Sequence, residues 1–146
     1  MADLCARLDH YALANVQRPM VIDVTAFSWE VPKVDHFFSA NTAHILSWDA
    51  VCSMFFGIGK ILHSGVFALY GPFNRGGAYT SAGNRNFDQI LRSRNSEMCS
   101  RNDADLVELG NRAGLTLVED IAMPANYRVL IWQCTTASEC DSPDQG

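Results

Sequence analysis

The sequence predicts an α/β fold: a mostly parallel sheet flanked by helices and closed by an antiparallel hairpin. Three observations carry this. Strand-like and helix-like hydrophobic patterns alternate along most of the 146 residues. Val66-Phe67-Ala68-Leu69-Tyr70 is short and continuously apolar, as suits a strand covered by helices on both faces. Near the C-terminus, two β-rich runs are joined only by Pro124-Ala125-Asn126. Three residues cannot make a crossover, so that last pair must be antiparallel.

Taken in order, residues 2–14 read as a helix, and Pro19 punctuates the chain before Met20-Val21-Ile22-Asp23-Val24, a short buried strand. Val34 to Ala40 is a second strand. The clearest helix follows, with Val51, Met54, Phe55, Ile58, Ile61 and Leu62 at three-and-four spacing. Ser64-Gly65 ends it, glycine being able to take the left-handed cap. After the strand Val66–Tyr70, a polar loop from Gly71 to Gly83 leads to a helix bearing Phe87, Ile90 and Leu91 on one face. Another helix is expected from Asp103 to Ala113, with Asn102 as N-cap and Gly114 as its stop. Leu115–Met123 and Tyr127–Cys134 are the hairpin strands. The chain thus divides into one domain over 1–134 and a disordered polar tail over 135–146, which lacks any periodicity.

Composition narrows the function. A formal net charge of −5 without a Lys/Arg cluster excludes a duplex nucleic-acid binder. No apolar run reaches the ~18 residues that a membrane span requires, and the start, Met1-Ala2-Asp3-Leu4, lacks the basic and apolar regions of a signal peptide. A soluble, cytoplasmic protein is expected. Its five cysteines are odd in number and widely spaced, so they read as reduced thiols, with no metal site expected.

Five short motifs add specificity: Ile22-Asp23-Val24-Thr25; Ser39-Ala40-Asn41-Thr42-Ala43-His44-Ile45; Leu69-Tyr70-Gly71-Pro72-Phe73; Asn86-Phe87-Asp88 with Leu91-Arg92-Ser93-Arg94; and Asp120 through Asn126. In this order they resemble the methyltransferase-like 26 family, also catalogued as a domain of unknown function, from about Leu4 to Gln133. The resemblance implies a Rossmann-like class I methyltransferase sheet, S-adenosylmethionine as cofactor, and a small-molecule or protein acceptor. It also implies truncation: the first two strands, with a Gly-x-Gly turn and a ribose-binding acid, have no counterpart here. The close glycines Gly57/Gly59 and Gly76-Gly77 fall in a helix and in a late loop, so neither replaces that turn.

By the same resemblance, Asp23, Val24 and Thr25 sit near the adenine; Asn41, from its position, would hydrogen-bond the cofactor or the substrate. Asn41 and His44 follow the carboxyl end of a strand, where open α/β sheets bind ligands. His44 is a candidate general base, its ordinary pKa lying near neutrality. Tyr70 is a candidate catalytic residue that would line an acceptor pocket with Gly71, Pro72, Phe73 and Asn126. Arg75, Arg92 and Arg94 would bind an anion or, more simply, pair with Asp88. Methyl transfer is an in-line displacement that needs alignment in a dry site and no protein nucleophile or metal. Two functions remain open: a methyltransferase lacking its glycine-rich loop, and a non-catalytic remnant serving as a structural or interaction domain. A nicotinamide-dependent oxidoreductase on a similar sheet is a more distant third. Loss of two strands would leave an exposed sheet edge inviting self-association.

Overall fold

The computed structural model describes residues 2–134, so the expected tail lies outside the described residues. Its elements are α1 (Ala2–Tyr11), β1 (Phe37–Ala40), α2 (Trp48–Ile61), β2 (Val66–Gly71), α3 (Ala82–Arg94), α4 (Asp103–Arg112), β3 (Leu115–Met123) and β4 (Tyr127–Cys134). The sheet order is β1-β2-β4-β3. β1 pairs parallel with β2, with Phe37 opposite Phe67 and Ala40 opposite Tyr70. β4 runs antiparallel to both β2 and β3. The mixed α/β architecture and the terminal antiparallel hairpin agree with the sequence-based expectation. Among the described residues, no helix is long and apolar enough to cross a membrane.

The pleat sorts each strand into two faces. On one face, Phe67 and Leu69 of β2 and Leu130 and Trp132 of β4 are fully buried with Leu115 of β3. They pack against Val51, Met54, Phe55 and Ile58 of α2 and Leu106 and Leu109 of α4. Phe67 and Trp132, opposite each other in register, stack at 5.5 Å, and Phe55 meets both edge-on. The other face carries Val66, Ala68 and Tyr70 on β2 and Tyr127, Val129 and Ile131 on β4, none of them buried. Both faces of β2 are apolar, as its sequence requires, but only one is sealed and the other is half-buried.

Four local expectations change. Residues 20–24 form no strand: Met20, Val21 and Ile22 are exposed, and the chain makes a turn in which the Ala26 N–H donates to the Asp23 carbonyl at 3.1 Å. Strand propensity is realised only when a neighbour accepts the backbone hydrogen bonds, and no strand lies beside this segment. The first helix stops at Tyr11, after which Ala12 turns left-handed (φ 46°). β1 is shorter than 34–40, because only 37–40 find partners on β2. Finally, α2 begins ahead of its apolar stripe, because the Ser47 hydroxyl accepts from the Ala50 N–H. It closes on Leu62 in extended geometry. Gly65 (φ 85°) acts later, in the turn into β2, where a Cβ would lie 2.0 Å from the Asp35 carbonyl oxygen.

At the far end, β3 and β4 are joined through a short 3-10 turn over Pro124–Asn126, in which Ala125 and Asn126 both adopt φ 60°. Asparagine tolerates this region, but alanine pays about 1 kcal/mol or more for it. Ala125→Gly is therefore expected to stabilise the chain by roughly 0.5–1 kcal/mol, read as a higher urea midpoint at unchanged m-value.

Candidate functional site at the carboxyl end of the sheet

β1 ends at Ala40, and Asn41 takes a left-handed conformation (φ 58°) that asparagine accommodates locally. Its N–H donates to the Tyr70 carbonyl at 2.9 Å, so the ends of β1 and β2 are locked together. Ser39 and Thr42 join hydroxyls across the same corner. Thr42 then starts a turn in which its carbonyl accepts from Ile45 and Leu46, and this turn delivers the chain to Ser47 and α2. His44 lies inside it, only 5% exposed, edge-on to Phe87 of α3 at 5.3 Å. Its Nδ1 is buried without a hydrogen-bond partner.

Arg101 holds this turn from the other side. Its Nε donates to the Ala43 carbonyl at 3.0 Å, and its terminal nitrogens reach the Leu46 and Glu97 carbonyls and the Cys99 sulfur. The guanidinium also lies over the Trp48 ring at 5.6 Å. Burial, and secondarily the positive charge of Arg101, push the His44 pKa below its ordinary value. His44 is thus neutral at pH 7, the form able to accept a proton.

α3 contributes a polar inner face. Ser81 caps it, accepting from the Asn84 N–H at 3.0 Å, and Asn84, Asp88 and Leu91 are the buried side chains. Asn84 Nδ2 donates to Thr80 Oγ1 and to the Asn126 carbonyl at 3.2 Å, fastening the hairpin to the helix. Asp88, 1% exposed, accepts from the Tyr79 hydroxyl, Arg92 Nε and the Ser100 N–H. Burial opposes its ionisation, but Arg92, Ser100 and Tyr79 together outweigh it and hold the carboxyl below its ordinary pKa. Arg92 is therefore an ion-pair partner of Asp88.

The expected site residues divide into groups. Asn41, His44, Tyr70 and Asn126 gather at the carboxyl end of β1 and β2. Tyr70 is half-buried, stacked at 5.1 Å on Tyr127. Gly71, Pro72 and Phe73 are buried, and Phe73 belongs to the hydrophobic core rather than to an open wall. Asp23, Val24 and Thr25 lie elsewhere. Asp23 Oδ1 accepts from the Thr25 N–H (2.9 Å) and hydroxyl (2.7 Å), bonds that lower the Asp23 pKa, and Val24 packs on the fringe of the core. Thr25 borders a cavity of about 730 Å³ between the 25–29 segment and Phe56, Gly57 and Lys60 of α2. That cavity is not at the carboxyl end of the strands. The sheet end remains the better candidate, because open α/β sheets bind ligands there. Gly59 serves packing: a Cβ would fall 2.1 Å from the Ala113 carbonyl oxygen after α4.

The motif series did not single out Asn84, Ser100, Arg101 or Tyr127. Asn84 and Asp88 are legible in retrospect, because they share the three-and-four stripe of Leu91. Arg101 carries no such signal, since it acts through carbonyls nearly sixty residues away.

The family described as protein of unknown function DUF938 matches residues 1–134. The chain belongs to this family. Solved structures similar to this DUF938 member include the mitomycin 7-O-methyltransferase MmcR, with a TM-score of 0.77 and 14% identity over 91% of this chain and 38% of that one. The O-methyltransferase NcsB1 from neocarzinostatin biosynthesis, in complex with S-adenosylmethionine and 2-hydroxy-5-methyl naphthoic acid, has a TM-score of 0.71 and 12% identity over 91% and 38%. Human N-acetylserotonin methyltransferase, in complex with S-adenosylmethionine, has a TM-score of 0.67 and 14% identity over 75% and 32%. These likenesses establish a Rossmann-like α/β fold, which this chain shares with those methyltransferases. The chain spans about a third of the length of the structures it matches.

Two outcomes follow from the buried groups. A histidine held below its unfolded pKa binds protons more readily in the unfolded chain, so stability falls as pH drops below about 6.5. In His44→Gln that share of the slope should vanish, seen by comparing urea midpoints between pH 7.5 and 5 for both chains. Asp88→Asn removes a charged acceptor from three donors and should cost about 2–3 kcal/mol at pH 7. Its deficit should shrink as pH falls below about 4, where Asp88 of the unfolded wild-type chain takes up a proton, and vanish once pH passes below the lowered pKa of the folded state.

Proposed function

We propose that this chain is the acceptor-side part of an S-adenosylmethionine-dependent methyltransferase domain of the methyltransferase-like 26 type, acting on a small molecule or a protein. The supporting observation is the cluster at the carboxyl end of β1 and β2: Asn41 locked to Tyr70, neutral His44 beneath, and Asn126 tied in through Asn84. The four free cysteines among the described residues support a reducing, cytoplasmic setting.

The cofactor fits these residues only in part. Asn41 offers a polar side chain at the strand end, and the Asp23–Thr25 turn offers a carboxylate and a hydroxyl, but the two lie in separate elements. Among the described residues, no Gly-x-Gly turn follows a strand to supply backbone donors for the amino-acid portion, and Gly76 and Gly77 face open space. No methyl-transfer step is therefore assigned to this chain alone. Its own contributions are to orient an acceptor against Tyr70 and Tyr127 and to hold the strand ends through Asn41, while His44, its Nδ1 closed off by packing, would act as a base only if its turn opened. Further polypeptide would supply the missing donors. A second reading, a non-catalytic interaction domain, is favoured by the uncovered sheet face.

Titration of S-adenosylmethionine into the isotopically labelled chain tests the proposal. Weak binding is expected, with Kd about 1 mM or higher, perturbing the amide resonances of Asn41 and Tyr70 and abolished by Asn41→Ala. Micromolar affinity would show that the chain is complete as a cofactor site. No perturbation of either residue at 10-fold higher ligand would remove the methyltransferase reading.

A further inference from the structure

β2 and β4 are the inner strands of the sheet; β2 is apolar on both sides, and so is the centre of β4 from Val129 to Trp132. That pattern belongs to strands buried on both faces. Here the face holding Phe67, Leu69, Leu130 and Trp132 is sealed at 0% exposure, whereas no residue of the opposite face is buried. The edge strand β1 continues that open face with Phe38, 72% exposed, and Ala40. Phe37–Ala40 contains none of the charges or prolines that protect free edges. On the far side, β3 adds Ile121 and Met123.

We propose that this open face is the interface of a two-fold symmetric dimer, with a second copy of this chain packed sheet against sheet. An isologous interface sets the same patch of both copies together, so the apolar centre of this face would meet itself. Ala68, Val129 and Ile131 form a flat apolar centre, and the polar strand residues Thr116, Glu119 and Gln133 are grouped toward one corner. Glu119, on an edge strand, is the one acidic or basic strand residue on the face, so two copies meet without opposed charge clusters. The area also suits. Four strands about 4.8 Å apart, with six to eight residues rising about 3.3 Å each in β2 and β4, give roughly 400–500 Å² in projection. Upright side chains raise the accessible area toward the ~800 Å² per partner of a standard interface. Two sheets would stack about 10 Å apart, as in a sandwich. The Tyr70–Tyr127 pair then marks the border between this interface and the strand-end site.

Sedimentation velocity of the 146-residue chain over a hundredfold concentration range is the test. A reversible monomer–dimer equilibrium is expected. Val129→Lys and Ile131→Glu, placed separately on the open face, should each weaken it by at least about tenfold while keeping near-ultraviolet ellipticity from Trp132, which faces the other way. The wild-type chain decides the matter even if a variant misfolds. A monomer throughout would overturn the proposal. If the monomer then gains dye-accessible apolar surface in Leu8→Lys, the cover is the chain's own α1, which buries no residue in this structure. Open-ended growth into larger oligomers would overturn it too, pointing to edge-to-edge pairing along β1. Dimers untouched by both variants would place the interface elsewhere.

Discussion

Trp132 sets the distance between the layers. Its indole stacks on Phe67 of the neighbouring strand and takes the Phe55 ring edge-on from α2, so three elements share one aromatic contact. α4 completes the enclosure at Gly110, where a Cβ would stand 2.5 Å from the indole nitrogen. Each ring removes on the order of 150–250 Å² from water. The cluster fixes β2 beside β4 and α2 above both, and thereby fixes where β2 ends. The site at that end inherits its position from this core.

From there the polar groups take over. Asp88 and Arg101 are both buried, and each ties together segments distant in sequence: Asp88 joins the loop at Tyr79, α3 and Ser100, while Arg101 joins residues 43–46 to residues 97–99. Buried charges persist only when their hydrogen bonds are made. Their satisfaction explains why the turn carrying His44 holds its shape although it contains no regular element. The same packing excludes water from His44 and keeps its ring neutral.

Much of this was legible in the sequence. The apolar stripe from Val51 to Ile58 is the buried face of α2, the three-residue connection at Pro124 forces the antiparallel pair, and the motif order brings Asn41 and Tyr70 to adjacent strand ends. Met20–Val24 was not legible, because β propensity in five residues says nothing about whether a neighbouring strand exists. Nor was the burial of Phe73, since a residue just past a strand end can turn inward or outward with the same local pattern.

The sequence by itself determined which segments are helix and strand where periodicity was long or connection length was restrictive, and it determined that β2 is apolar on both sides. These are local properties, set by side-chain spacing and chain reach. Only the tertiary structure decided that one side is sealed and the other open, that Asp23 stands apart from Asn41, and that a histidine beside an ordinary turn is buried against Phe87 and Arg101. Those outcomes depend on which distant segments meet, and a pairing of residues about sixty positions apart leaves no periodic trace in the chain.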